Sequence, residues 1–137
     1  MSNGPIPSTL VLLPALHKEP AGAKVRFLGC VESYATGDAT LTLEHDKAAA
    51  HGPRVRALID VNLLLQSLKA EQTRAGEWVN VIGYIAPEPD QPRAPGPLPG
   101  EHHRVHVQAI VLWSAGSLNI QEYTSTVAAR SNDVRAT

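Results

Sequence analysis

The stretch GAKVRFLGCVESYATGDATLTLEH, residues 22–45, decides the fold. From Lys24 onward, Val25, Phe27, Gly29 and Val31 alternate with Arg26, Leu28, Cys30 and Glu32. A period of two places the first set on one face of a strand. That face is large and apolar except at Gly29. An interior glycine in a strand marks a bulge or a sharp bend. Small closed barrels need such a bend, because one long strand must curl to pair with partners on both sides. Thr36, Gly37 and Asp38 signal a turn, and Leu41 and Leu43 restart the alternation.

The same reasoning extends in both directions. Residues 1–8 are polar and rich in Pro and Gly, whereas Leu10 to Leu16 is apolar enough to lie against a domain. Residues 1–20 therefore read as a partly flexible N-terminal arm. DKAAAHGP, residues 46–53, is a connection. A third strand follows, with Val55, Ala57, Ile59 and Val61 alternating with Arg56, Leu58 and Asp60. Leu64, Leu65 and Leu68 then change the period to that of a short helix ending before Gly76. The fourth strand is EWVNVIGYIA, with Val79, Val81, Gly83 and Ile85 on one face. Six of the eleven prolines fall between residues 87 and 99, so residues 87–100 form an exposed loop and no central strand. The fifth strand is RVHVQAIVLW, with Val105, Val107, Ala109 and Val111 inward. Residues 117–137 read as a terminal helix and tail. Ser117 is the N-cap, and Ile120, Tyr123, Val127 and Val134 are spaced as one stripe.

Five strands with a helix between the third and fourth, and a helix at the end, give an all-β OB-fold: a five-stranded Greek-key barrel over residues 21–116 with an appended amphipathic helix. Gly29 and Gly83 sit where such a barrel bends.

Composition narrows the function. The 137 residues carry 12 Lys and Arg against 13 Asp and Glu, a net charge of −1. A protein that grips phosphate backbones alone usually shows a basic balance. Aromatic residues make up only 4% of the chain, so base-stacking side chains are scarce. One cysteine, Cys30, rules out an internal disulfide and a Cys-rich zinc site, and points to a reducing compartment. The run TLVLLPAL, residues 9–16, is short, broken by Pro14 and lacks a basic leader, so it reads as neither signal peptide nor membrane span.

OB-folds bind oligomers on the face of strands two and three, between the loops joining strands one to two and four to five. Candidate nucleic-acid contacts are Lys24, Arg54 and Arg56, with Arg26 also on the first strand and Tyr34 and Tyr84 as stacking residues. The alternative is that these are ordinary outward side chains of a barrel. The terminal helix either closes the open end of the barrel or meets a second subunit, with Tyr123 as anchor. His102 and His106 share a strand face and invite a metal, but His103 points the other way and no Cys or carboxylate pair completes a site. Cys30 reads as a small packed residue, and Glu32 and Asp60 form no evident acid/base pair. No catalytic motif is present, so no enzymatic role and no cofactor is expected.

KVRFLGCVESY (24–34), GEWVNVIGYI (76–85) and VQAIVLWSAG (107–116) resemble the fungal form of the small subunit of the CST complex, which caps telomeres and is similar to replication protein A. The resemblance runs from about Leu10 to the terminal helix, and the Pro-rich loop matches no part of it. It implies a non-catalytic, nuclear, telomeric subunit that forms a heterodimer with the OB-fold middle subunit, and through it meets the large subunit. It further implies protection of telomeric single-stranded DNA and support of fill-in by DNA polymerase α–primase. The partner contacts it implies are Leu118, Ile120, Tyr123 and Val127 of the helix, and Arg26. An autonomous single-stranded DNA- or RNA-binding protein is the alternative.

Overall fold

A computed structural model describes residues 7–45, 55–87, 103–116 and 122–129. The described strands are β1 (Thr9–Leu10), β2 (Lys24–Ala35), β3 (Thr40–Glu44), β4 (Val55–Asp60), β5 (Trp78–Ile85) and β6 (His103–Ser114). The five strands expected from the sequence are β2 to β6, and β1 adds a two-residue parallel pairing to β2. The ladder runs β2–β3–β4–β6–β5 and returns to β2, which closes the barrel. All neighbours in that ring are antiparallel except β4 and β6, which run parallel.

β2 holds the barrel shut. Its first half pairs with β5, from Lys24 opposite Tyr84 to Cys30 opposite Trp78. Its second half pairs with β3, from Cys30 opposite Glu44 to Ala35 opposite Thr40. Cys30 is paired on both sides, and Gly29 lies next to it at the bend. A Cβ at Gly29 would meet Leu13 Cδ1 and Leu43 Cβ at 2.9 Å, so the interior has no room for one.

The interior is apolar and closely filled. Val25, Phe27, Val31, Leu41, Leu43 and Ile59 are all fully buried. Each such side chain contributes roughly 1.5–3 kcal/mol relative to exposure. Part of this core comes from before the barrel. The 3-10 helix Leu13–Lys18 carries Pro14 in its first turn, where proline's missing N–H costs nothing. Leu13 and Leu16 are both 0% exposed in the barrel's core cluster. The apolar arm therefore packs into the domain, as its composition implied.

Three features depart from the alternation read off the sequence. A register shift between Ile82 and Gly83 gives β6 an extra residue, since Ile82 faces Val111 and Gly83 faces Ala109. The parity of β6 reverses there, so Val111, expected inward, is 44% exposed, and Leu112 packs against the core instead. A second shift between Val31 and Ser33 leaves Glu32 as the extra residue of β2 and turns Tyr34 against the core. Finally, two 3-10 turns, Asn62–Leu64 and Ala70–Thr73, replace the single helix expected between β4 and β5. Side chains compete with the helical backbone there. Asp60 Oδ1 accepts from the Asn62 backbone N–H and side-chain amide at 2.9 and 2.7 Å, and Gln72 Oε1 accepts from the Lys69 N–H at 2.9 Å. Leu64 and Leu68 still pack on the core, while Leu65 is 50% exposed.

Candidate partner and nucleic-acid interfaces

Two outer surfaces of the barrel collect the candidate residues. The first is the outer face of β2, β5 and β6. Cross-strand register sets Arg26 opposite Ile82 and Ile82 opposite Val111. Two residues along, Leu28 faces Asn80, which faces Trp113. The exposed Arg26 guanidinium lies over the Trp113 ring, 5.2 Å from its centroid, a cation–π contact. Lys24 and Tyr84 form the neighbouring pair of the same face.

Residues 122–129 are helical, here α1, and meet the barrel near Arg26 and His45. Tyr123 is near enough to Arg26 for their charges to couple. Thr124 Oγ1 is 3.0 Å from His45 Nε2, and the His45 ring meets Trp78 edge-on at 5.8 Å. Leu28 belongs to the outward set of β2 yet is 1% exposed, and Val127 of α1 is 3% exposed. Neither belongs to the interior cluster. Together they mark a second apolar layer, of the kind a helix laid on a sheet produces. Val127 is thus covered by the domain, and Glu122, Ser125, Thr126 and Ala129 face outward. Val127, expected as a partner contact, is already buried in the isolated chain. Leu118 and Ile120 lie outside the described residues.

Tyr123 is half-buried, and its hydroxyl is buried with no hydrogen-bond partner among the described residues. Burial pushes its phenol above the ordinary tyrosine range, and the Arg26 guanidinium offsets part of that rise. A raised folded value means the unfolded chain releases the proton first. The stabilising contribution is therefore intact below pH ~10 and is lost as pH climbs through the folded value. In an alkaline absorbance titration of the three tyrosines, Tyr123→Phe is expected to remove the latest-ionising phase. Arg26→Gln is expected to move that phase still later. An unchanged titration in both variants would contradict this placement of α1.

The second surface is the outer face of β2, β3 and β4, where OB-folds take single strands. Arg56, a candidate phosphate contact, is already engaged. Its Nε donates to Glu44 Oε1 at 3.0 Å and its Nη2 lies 3.1 Å from Glu32 Oε1. Both carboxylates were missed as partners in the sequence, since the three residues come from three strands. Tyr34 packs against the core and presents no free ring for stacking, and Tyr84 lies on the first surface. Arg54 lies outside the described residues. Asp60 holds the Asn62 turn, and has no part in an acid/base pair with Glu32.

The histidines divide differently from their sequence cluster. His103 stacks on His17 of the N-terminal 3-10 helix, with centroids 5.2 Å apart. His106 lies opposite Leu58 of β4, and His102 lies outside the described residues. Among the described residues, no three His, Cys, Asp or Glu side chains are grouped to hold a metal ion. Cys30 is half-buried and forms no disulfide.

Comparison with known proteins matches this architecture. No curated protein sequence matches the chain. A chain of the S. pombe Stn1–Ten1 complex superposes with a TM-score of 0.65 at 23% identity, covering 94% of this chain and 96% of that one. The telomere capping protein Ten1 from the same organism gives 0.64 at 23% identity, over 92% of this chain and 99% of that one. Replication protein A of U. maydis, bound to single-stranded DNA, gives 0.57 at 16% identity, over 92% and 91% of the two chains. These likenesses establish the OB-fold. The family model for Ten1, described as a telomere capping, CST complex subunit, matches residues 1–128, nearly the whole chain. The protein therefore belongs to the Ten1 family of telomere-capping CST complex subunits.

Proposed function

We propose that this chain acts without catalysis, as the small partner in a heterodimer with the OB-fold middle subunit of the complex. The pair protects telomeric single-stranded DNA in the nucleus. Through the middle subunit the chain joins the large subunit and supports fill-in by DNA polymerase α–primase. The observation that carries the pairing is the exposed wall beside α1. Arg26 stacked on Trp113 adjoins Val111, which is 44% exposed despite being a large apolar side chain. Aromatic and Arg side chains with apolar neighbours are the composition of interface centres. The S. pombe relative, which has the same fold, is found in complex with Stn1.

In this reading Arg26 and Tyr123 meet the partner, joined by Leu118 and Ile120. Val127 serves indirectly, by holding α1 against the wall. DNA contact belongs mainly to the assembled complex, which fits a net charge of −1.

The test is titration of the purified chain with the OB domain of the middle subunit. Tyr123→Ala and, separately, Val111→Glu are each expected to weaken pairing by about 2 kcal/mol, roughly thirtyfold in Kd. Circular dichroism of both variants is expected to show an intact barrel, because neither side chain enters the interior cluster. Pairing of wild-type strength in both variants would refute this interface.

A further inference from the structure

We propose that Glu32 and Glu44 form an electrostatic lock on Arg56, closing the strand face of the barrel to single-stranded DNA in the isolated chain. The argument begins with position. β3 and β4 carry the surface on which OB-folds bind oligonucleotides. Glu44 and Arg56 stand at adjoining positions on those strands, one step beyond the Leu43–Ala57 pair. Glu32 is the extra residue at the β2 bulge and reaches Arg56 across β3.

Among the described residues, two carboxylates share the Arg56 guanidinium. Two edges of the Arg56 fork, Nε and Nη2, are already spent on them. Glu44 is nearly buried, with its side chain 11% exposed, so its charge is poorly screened by solvent. The other Glu32 oxygen, Oε2, is buried with no hydrogen-bond partner among the described residues, and Arg56 is the cation that Glu32 meets through Oε1. A phosphate approaching Arg56 must displace an existing charge-assisted hydrogen bond.

Beside the lock lies a cation with no ion pair among the described residues. Arg104 of β6 is in register with Arg56 and is exposed. Releasing Arg56 would therefore create a pair of neighbouring guanidinium groups on the groove side of the barrel. That is the arrangement that tracks a single-stranded phosphate backbone.

The experiment is fluorescence anisotropy of the isolated chain with a labelled oligothymidylate at low salt. Glu32→Gln combined with Glu44→Gln is expected to bind at least about tenfold tighter than the unaltered chain, with a steeper salt dependence. Adding Arg56→Ala to that pair should abolish the gain. Glu19→Gln with Glu71→Gln makes the same change in net charge at two 3-10 helices rather than on these strands, and should tighten binding by no more than about threefold. If the Glu44 substitution disturbs folding, Glu32→Gln alone carries the test, with an expected gain of about threefold. The lock is refuted if the carboxylate variants bind no better, if the control pair gains as much, or if the gain survives Arg56→Ala. All readouts use the chain without its partner, so this proposal and the heterodimer stand or fall separately.

Discussion

Gly83→Ala is expected to destabilise the barrel by about 3 kcal/mol or more. A Cβ at Gly83 would overlap the backbone carbonyl oxygen of Gln108 and press on Ala109 Cα at 3.0 Å and Val107 Cγ1 at 2.9 Å. Two of those three atoms are backbone, and they belong to the ladder that joins β5 to β6. No rotamer change relieves the overlap, so strand pairing itself must give way. Gly29→Ala provides the comparison. Its new methyl meets side-chain atoms of Leu13 and Leu43, of which the two Cδ1 atoms are the far ends of flexible side chains. That substitution should cost about 1–2 kcal/mol. Urea unfolding followed by circular dichroism ranks the two. Equal costs, or a larger one at Gly29, would show that the close approach of β6 at its bulge is misassigned.

Phe27→Ala is expected to cost about 3–5 kcal/mol. Phe27 is the chain's one phenylalanine, is 0% exposed, and pairs across the ladder with Val81. Its ring occupies the barrel interior between residues contributed by the other strands, all of which are held by hydrogen bonds in a closed ring. A closed ring contracts little, so most of the vacated volume remains as a cavity. Set against a total stability of about 5–15 kcal/mol for a domain, the loss brings the variant near its unfolding threshold. Thermal unfolding should fall by roughly 10–20 °C. Phe27→Leu, which keeps most of the volume, should lose about 1.5 kcal/mol or less. A loss below 1 kcal/mol for Phe27→Ala would place the ring outside the core.

What the sequence makes legible here follows from local rules. Strand order, the inward set of β2 and the two barrel glycines can be read from period two and from glycine placement alone. The N-terminal arm is legible as apolar, and Leu13 and Leu16 bear this out. The misreadings share a cause, since a bulge is one residue of excess and carries no residue-type signature. The extra residues of β6 and β2 therefore reversed the reading of Val111 and hid the core contact of Tyr34. The left-handed turn position likewise falls on Ala39, at φ 53°, one residue past Asp38 and two past the glycine that signals the turn. The candidate sites were less legible than the fold. Arg56 reads as a free cation in one dimension, and its two carboxylates become neighbours only when three strands are aligned. Val127 reads as a docking residue, yet it is 3% exposed in the isolated chain.

Closure of the ladder also restricts how any second chain can be recognised. Open sheets often recruit partners by adding a strand to an unpaired edge, so that main-chain hydrogen bonds supply the affinity. Here β2 through β6 each have strand neighbours on both sides over part of their length, while residues 33–35 of β2 and 109–114 of β6 pair on one side only. Along the doubly paired stretches, strand addition would require prying the barrel open. A partner that meets those stretches must instead read side chains on the walls and the helix beside them. Recognition of that kind depends on the identity of a few residues and tolerates little drift, unlike backbone pairing, which accepts almost any sequence.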